Sequence, residues 1–232
     1  MIQIHQKFVN NQLRNYTYII SVGSDIICID PFSLEIVEKT LEKIPGAPKV
    51  LAIINTHEHH DHTEGNADVI KKYDCEVWGH QELLAHDIPV AKRLQHLEEI
   101  KLSSSDSLRI LHTPGHSAGS ISLLWREKNC DRAIFSGDTM FNAGVGNCRD
   151  GGRIDLLYAS IQEFYSGLED KVLLYPGHDY LEKNLKFTEH ISGKKFSTQT
   201  DLSFKREREI NLFLQTKSFE EFRELRAKRD IF

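Results

Sequence analysis

The stretch Leu51 to Asn66, LAIINTHEHHDHTEGN, limits the folds open to this chain more than any other. The β-branched apolar run from Val50 to Ile54 reads as a buried strand. His57, His59, Asp61 and His62 follow it directly, a density of metal-binding side chains that no apolar core would collect. A buried strand that ends in ligand-type residues is the pattern of an α/β protein, where sites gather beyond the strand ends.

Further along, one device recurs: an apolar run, a glycine, then a ligand-type residue. LRILHTPGH ends in Gly115 and His116, AIFSGD in Gly137 and Asp138, and VLLYPGH in Gly177 and His178. Glycine accepts backbone angles that other residues resist, so it suits a strand end that must turn sharply and aim a side chain across the sheet edge. These residues are expected to converge with the cluster of the fifties. A lone histidine is more often packed or solvated than a ligand, but His57, His59, His62, His116 and His178 with Asp61 and Asp138 form a set. One divalent ion seldom takes so many donors, so the set points to two ions, with zinc favoured and iron or manganese possible for imidazole and carboxylate donors.

The remaining histidines carry no such spacing. His60 is expected to point away from its neighbours, His112 to be structural, and His5, His80, His86, His96 and His190 to lie at the surface or in the core. Trp78 and Trp125 read as strand residues of the core.

With 232 residues, 40% of them hydrophobic, the chain is long enough for one large α/β domain with a small appendage. The net charge of −5 disfavours a nucleic-acid partner. Four cysteines, Cys28, Cys75, Cys130 and Cys148, lack any CxxC spacing, so reduced thiols in the cytoplasm are expected, the first three of them buried. No targeting pattern and no run long enough to span a membrane is read.

Short strands are expected at Ile2 to Val9, Tyr16 to Val22 and Ile26 to Asp30, then a helix over Ser33 to Ile44 with Ser33 as its N-cap. The histidine cluster leads into a helix from about Thr63 to Tyr73, followed by a strand at Glu76 to Trp78 and a short helix near Gln81 to His86. Asp87 to Ser107 has the weakest pattern and is expected to be loop-rich. A helix over Tyr180 to Ile191, a linker over Gly193 to Asp201, and two amphipathic helices within Phe204 to Arg229 follow, the second capped by Ser218 with Glu221. The charge run of those last helices reads as a solvated face or as part of a substrate site.

These residues resemble the metallo-β-lactamase superfold and, within it, glyoxalase II, the hydroxyacylglutathione hydrolases. HxHxDH stands as His57, His59, Asp61 and His62; TPGHSAGS, FSGDTMF and PGHDY are similar to the later motifs. NLKF at Asn184 to Phe187 and RAKRDIF at Arg226 to Phe232 are similar to the helical C-terminal region of glyoxalase II. The resemblance implies an αββα sandwich with a catalytic domain over 1–178 and a small helical substrate-binding region over 179–232. It implies a first metal at His57, His59 and His116, a second at Asp61, His62 and His178, and Asp138 bridging them.

The resemblance also implies that the thiol half of the substrate is held by the loop after Asp138, by Tyr180, and by Arg226 and Arg229, three apart on one helix face. In that loop, AGVGNCRDGG, Asn147 stands where the family has a lysine and Arg149 where it has an aromatic residue. Asparagine donates without charge and arginine grips a carboxylate bidentately, so an acidic thiol carrier is expected.

Two divalent ions with two aspartates and a bridging hydroxide leave a net positive centre, suited to an oxyanion. Asp61 and Asp138 would hold that hydroxide. A thiol, with a pKa of about 8.5, departs as thiolate without a protein acid, whereas an amide nitrogen needs one, so thioester hydrolysis ranks above lactam or peptide cleavage. The expected substrate is a small acyl-thiol, turned over by a monomer or weak homodimer. Two other readings stand beside this one: a persulfide dioxygenase with one iron at His57, His116 and Asp138, and a metal or thiol sensor without turnover.

Overall fold

The computed structural model describes residues 2–232 and lays two sheets face to face. The first holds, in spatial order, β1 (Ile2–Phe8), β2 (Tyr16–Val22), β3 (Asp25–Ile29), β4 (Lys49–Ile54), β5 (Glu76–Gly79) and β6 (Val90–Arg93). The strands β7 (Glu99–Lys101), β8 (Asp106–His112), β9 (Ile121–Glu127) and β10 (Cys130–Gly137) follow in the chain. A small ribbon, β11 (Met140–Phe141) and β12 (Gly144–Val145), intervenes before β13 (Leu173–Pro176). The second sheet has the order β13-β10-β9-β8-β7.

Side chains alternate across a strand, and this alternation sorts the core into layers. Tyr18 and Ile20 of β2 face Leu108, Ile110, Leu123 and Phe135 of the second sheet, and this double face is the central layer. Ile19 between them points the other way, under α1 (Leu34–Leu41) and α3 (Asn66–Tyr73), beside Val37, Leu41 and Val69. Between those two helices in the chain lies the single turn α2 (His60–Thr63). On the far side, Leu111, Leu124, Ile134 and Leu174 are covered by α4 (Ile154–Ser160), its π-helical continuation Ile161–Tyr165, and α5 (Leu181–Ser192). The last helices, α6 (Phe204–Ile210), α7 (Leu212–Gln215) and α8 (Phe219–Ile231), pack Phe204, Phe213 and Phe222 into this same layer. The result is the αββα sandwich.

Several elements differ from the sequence reading. Asp87 to Ser107 carries β6 and β7 and the start of β8, short edge strands whose charged residues hide the alternation. Lys92 of β6 covers the Trp78 ring at 4.7 Å and pairs with Glu98 at 2.9 Å. The expected helix to Tyr73 begins at His60 and is interrupted at Gly65, where a Cβ would lie 2.3 Å from Pro31 O. No element was expected between Arg149 and Lys171, where α4 and its wide turn stand. The last two helices are three, because Asn211 leaves helical geometry and caps α7 through Phe213 N at 3.2 Å. Ser33 and Ser218 cap α1 and α8 as expected.

Cys28 and Cys75 are buried, while Cys130 is exposed at the β9–β10 hairpin. There, Lys128 and Asn129 both take positive φ, the two-residue turn that follows strand twist, and its flank faces solvent. None of these cysteines is paired. Among the described residues, no helix is long and apolar enough to cross a membrane.

Candidate metal centre

The ends of β4, β8, β10 and β13 meet at one edge of the sandwich. Ile121 N, at the start of β9, donates to Thr56 O at 2.8 Å, Thr113 N just past β8 donates to Ser120 O at 2.9 Å, and Gly177 N donates to Gly137 O at 2.8 Å, so backbone bonds tie β8 to β4 through β9 and β13 to β10. Gly115 (φ 141) and Gly137 (φ 48) take backbone angles that favour glycine. Gly177 does not; its need is for space, since a Cβ would fall 2.2 Å from Asp138 Oδ1 and 2.9 Å from His62 Cε1.

Two groups of candidate donor atoms result, His57 with His59 and His116, and Asp61 with His62 and His178. In the first, His59 Nδ1 stands 3.1 Å from His57 Nε2 and 2.9 Å from His116 Nε2. In the second, His62 Nε2 and His178 Nε2 are 3.2 Å apart, each 3.4 Å from Asp61 Oδ2. Asp138 lies between the groups, with Oδ2 3.6 Å from His116 Nε2 and 3.1 Å from His178 Nε2, and Oδ1 3.3 Å from His62 Nε2. Donors at about 2.1 Å around one tetrahedral ion stand roughly 3.4 Å apart, so both groups are dimensioned for a metal. A third grouping, Asp30 with His57 and His62, overlaps them.

The outward side of each ring decides what its inward nitrogen can be. His116 Nδ1 donates to Asn147 O at 2.7 Å, His178 Nδ1 to Leu13 O at 2.8 Å, and His59 Nε2 to Asp150 O at 3.2 Å. His62 Nδ1 donates to Asp30 Oδ2 at 2.9 Å. Thr56 Oγ1 donates to that same oxygen at 2.6 Å, which leaves its lone pair for His57 Nδ1 at 3.0 Å. With every outward nitrogen donating, the inward nitrogen of each ring in its neutral form presents a lone pair to the others. Lone pairs at this spacing repel unless a cation stands among them. Asp138 Oδ1, buried and without a hydrogen-bond partner, adds to the same demand.

Electrostatics agree. Burial opposes ionisation of Asp138, but His178 and His62 outweigh it and hold the carboxyl well below its usual range. Burial drives His57 and His116 down, which keeps those rings neutral. At His62 burial is overcome by Asp138 and Asp30, which pull it up to about 9, marking a place where positive charge is favoured.

The sequence reading missed the residues behind this set. Asn15 is buried and donates from Nδ2 to Asp61 Oδ2 at 2.8 Å. Asp30 accepts from Thr56 N at 2.8 Å besides its bonds to Thr56 Oγ1 and His62. Glu58, inside the motif, takes Ser117 Oγ at 2.8 Å and ties the loop before β9 to the cluster. His60 is exposed, facing Glu64, as expected. His112 stacks on His80 at 4.2 Å and bonds Ala118 O at 3.0 Å.

A cavity of about 1020 Å³ opens beside the second group. Leu13, Asn147, Arg149, Tyr180, Arg226 and Arg229 are among its walls, so all the residues expected to meet the thiol half border one space. Tyr180 stacks flat on His178, with centroids 4.8 Å apart, and Phe141 packs edge-on to both rings. Arg149 is exposed and donates to Asp230 O at 2.9 Å and Asp230 Oδ1 at 3.3 Å. Arg229 is half-buried and donates to Asn184 Oδ1 at 3.1 Å. Arg226 differs from both: it is only 7% exposed and its guanidinium turns to Val145 O and Gly146 O, at 3.1 and 3.3 Å.

Residues 12–178 match the model of the metallo-beta-lactamase superfamily. The chain is 38% identical over 189 residues to a hydroxyacylglutathione hydrolase of Polaromonas sp., covering 80% of this chain and 70% of that one. It is 33% identical over 187 residues to another from Nitrosococcus oceani, again covering 80% of this chain and 70% of the relative. Among solved structures, ETHE1 from Myxococcus xanthus superposes with a TM-score of 0.73 at 26% identity, covering 97% of this chain and 90% of its own. A metallo-beta-lactamase from Staphylococcus aureus superposes with a TM-score of 0.74 at 19% identity, covering 99% of this chain and 72% of its own.

Proposed function

Because the chain belongs to the metallo-β-lactamase superfamily and, within it, to the hydroxyacylglutathione hydrolases, we propose that it is a metal-dependent hydrolase that cleaves the thioester of a small acyl-thiol to a hydroxy acid and a free thiol. The observation that carries this is the convergence of inward lone pairs from His57, His59, His62, His116 and His178, together with Asp61 and Asp138, beside a cavity large enough for a thiol carrier. His57, His59 and His116 would hold one divalent ion and Asp61, His62 and His178 a second, with Asp138 shared. Zinc is the favoured metal; imidazole and carboxylate donors without thiolate also accept iron or manganese. When bound, such ions lower the pKa of water and polarise a carbonyl.

The chain's own residues supply the rest. Asp30, Thr56, Leu13, Asn147 and Asp150 fix the five tautomers, so each ring in its neutral form turns a lone pair rather than a proton toward the ion. Asp61 and Asp138 would supply the negative charge that partly offsets that of the ions. Tyr180, Arg149, Asn147 and Arg229 border the space for the thiol half, where an acidic carrier of the glutathione type meets cationic side chains. A thiolate leaves without a proton donor. Both candidate donor groups and the cavity are complete within one chain, so a monomer suffices. Unpaired cysteines fit a reducing compartment such as the cytoplasm.

The test is thiol release from a panel of glutathione, coenzyme A and other acyl thioesters by protein loaded with zinc, iron or manganese. Release from one of them above the metal-only blank is expected. Failure with every ester in fully loaded protein would overturn the reading, and oxygen uptake with a thiol persulfide would replace it by the single-iron dioxygenase.

A further inference from the structure

We propose that Arg226 is a positioning residue of the metal centre, acting through the Val145–Gly146 backbone, and is not itself a substrate-binding residue. Its role in metal retention stands apart from the thioesterase reading, while its kinetic effect rests on that reading.

The guanidinium of Arg226 is occupied. Nη1 donates to Val145 O at 3.1 Å and to Gly146 O at 3.3 Å, and Nη2 donates to Asp230 Oδ1 at 2.8 Å. Its Nε is buried without a partner, and its flat face lies 5.7 Å from the centre of the Phe213 ring. A substrate carboxylate reaching this group would have to displace two backbone carbonyls and an aspartate. Each of those acceptors would then be left short of a donor.

What Arg226 holds stands directly behind the ligand set. A Cβ on Gly146 would fall 2.0 Å from Asp138 O and 3.1 Å from His116 Nδ1, so this backbone lies in contact with both. Gly146 N donates to Thr139 O at 3.3 Å, next to Asp138. The following carbonyl, Asn147 O, is the acceptor for His116 Nδ1. Asp230, the other partner of Arg226, also receives Arg149 from the loop that carries Asp150 O, the acceptor for His59 Nε2. One buried arginine therefore anchors the segment on which two imidazoles of the first donor group depend for their tautomers. Outer partners of metal-binding histidines commonly contribute 10–100-fold in metal affinity.

Arg229, three residues on, has no such duty. Among the described residues it forms no ion pair, its Nη2 meets only Asn184 Oδ1 at 3.1 Å, and it borders the cavity. An anionic thiol carrier would give it the charged partner it lacks.

The experiment compares metal-loaded wild type, Arg226→Met, Arg226→Lys and Arg229→Met for zinc retained against a graded chelator, and for kcat and KM on an acyl-glutathione thioester. Arg226→Met is expected to lose zinc at roughly tenfold or more lower chelator strength, and to lower kcat at least tenfold with KM within about twofold. Arg226→Lys, able to reach one of the carbonyls, should lie between. Arg229→Met should raise KM about tenfold with zinc retention and kcat unchanged. Wild-type zinc retention in Arg226→Met with a raised KM overturns the proposal. If that variant does not fold, wild-type retention and raised KM in Arg226→Lys does so instead. Absence of thioesterase activity throughout would remove the hydrolase reading while zinc retention still decides the role of Arg226.

Discussion

Asn15 grips Asp61 at both ends, with Nδ2 at 2.8 Å from the carboxylate Oδ2 and 3.3 Å from the backbone carbonyl. Asn11 in turn holds Asn15, donating to its Oδ1 at 2.8 Å, so the β1–β2 loop acts as a brace for the second donor group. The bond points Oδ2 toward His62 and His178 and keeps the carboxylate from swinging into the cavity.

Asn15→Ala is therefore expected to weaken the second metal selectively. Titration of metal-free protein with Co(II), followed by absorption, should show one equivalent bound as in wild type and the next about tenfold weaker. Equal affinity for both equivalents would remove Asn15 from this role.

Asp30 acts on the other side of the same group. Its Oδ2 receives both Thr56 Oγ1 and His62 Nδ1. In Asp30→Asn an amide N–H replaces that acceptor or its partner, and His62 is driven to the tautomer with Nε2 protonated and turned inward. With seven donors, wild-type protein should approach two transition-metal ions per chain by elemental analysis. Asp30→Asn should fall toward one, with kcat reduced by about 100-fold. Full metal content in the variant would refute the tautomer argument.

Glu207 supplies the pH dependence. It is fully buried on α6 and accepts Asn142 Nδ2 at 2.9 Å, Ala143 N at 2.9 Å and Asn211 Nδ2 at 3.3 Å. Burial pushes its carboxyl up to about 7 against those hydrogen bonds, with Arg206 the charged neighbour that opposes it. The folded state therefore holds the proton more tightly than the unfolded chain between the ordinary value of 4.5 and about 7. Stability is greatest below that window and declines as pH rises through it. Glu207→Gln cannot ionise, and rotation of the Asn142 amide provides an acceptor for its N–H. The Tm of the variant relative to wild type should rise by about 5 °C from pH 5 to pH 8.5. A gap that is constant with pH would show that Glu207 does not titrate there.

Arg149 is exposed and its partner Asp230 is already satisfied by Arg226. Its replacement by alanine removes a cation at the cavity wall and leaves Asp230 paired with Arg226. Arg149→Ala is expected to raise KM for the thioester severalfold more than it lowers kcat. An unchanged KM would place the thiol carrier elsewhere in the cavity.

The donor set was legible because its residue types are rare beside buried strands and because the spacing in HxHxDH and after Gly115, Gly137 and Gly177 repeats. The partners that orient it were not, because Leu13, Asn147 and Asp150 contribute backbone carbonyls, which leave no mark on residue identity. Asp30 had a readable signal: it closes β3, whose parallel neighbour β4 leads into the cluster. Asn15 sits in VNNQLRN, which reads as an ordinary polar turn. Apolar runs and periodicity marked individual strands and helices, the αββα layering was implied by the family resemblance, and β6 and β7 were hidden by the charges that protect sheet edges. The helix from Ile154 was readable in Ile154, Leu157, Ile161 and Tyr165, spaced by three and four, all of which pack into the outer layer.

Asn147 faces two ways, its carbonyl toward His116 and its side chain toward the cavity. A residue that orients a ligand through its main chain keeps that bond when its side chain changes, provided that the new side chain still accepts from Arg149 N as Asn147 Oδ1 does at 2.9 Å. Substrate preference at this wall can therefore drift by point mutation while the inorganic chemistry next door stays constant, and only a change in the path of the loop would alter both at once.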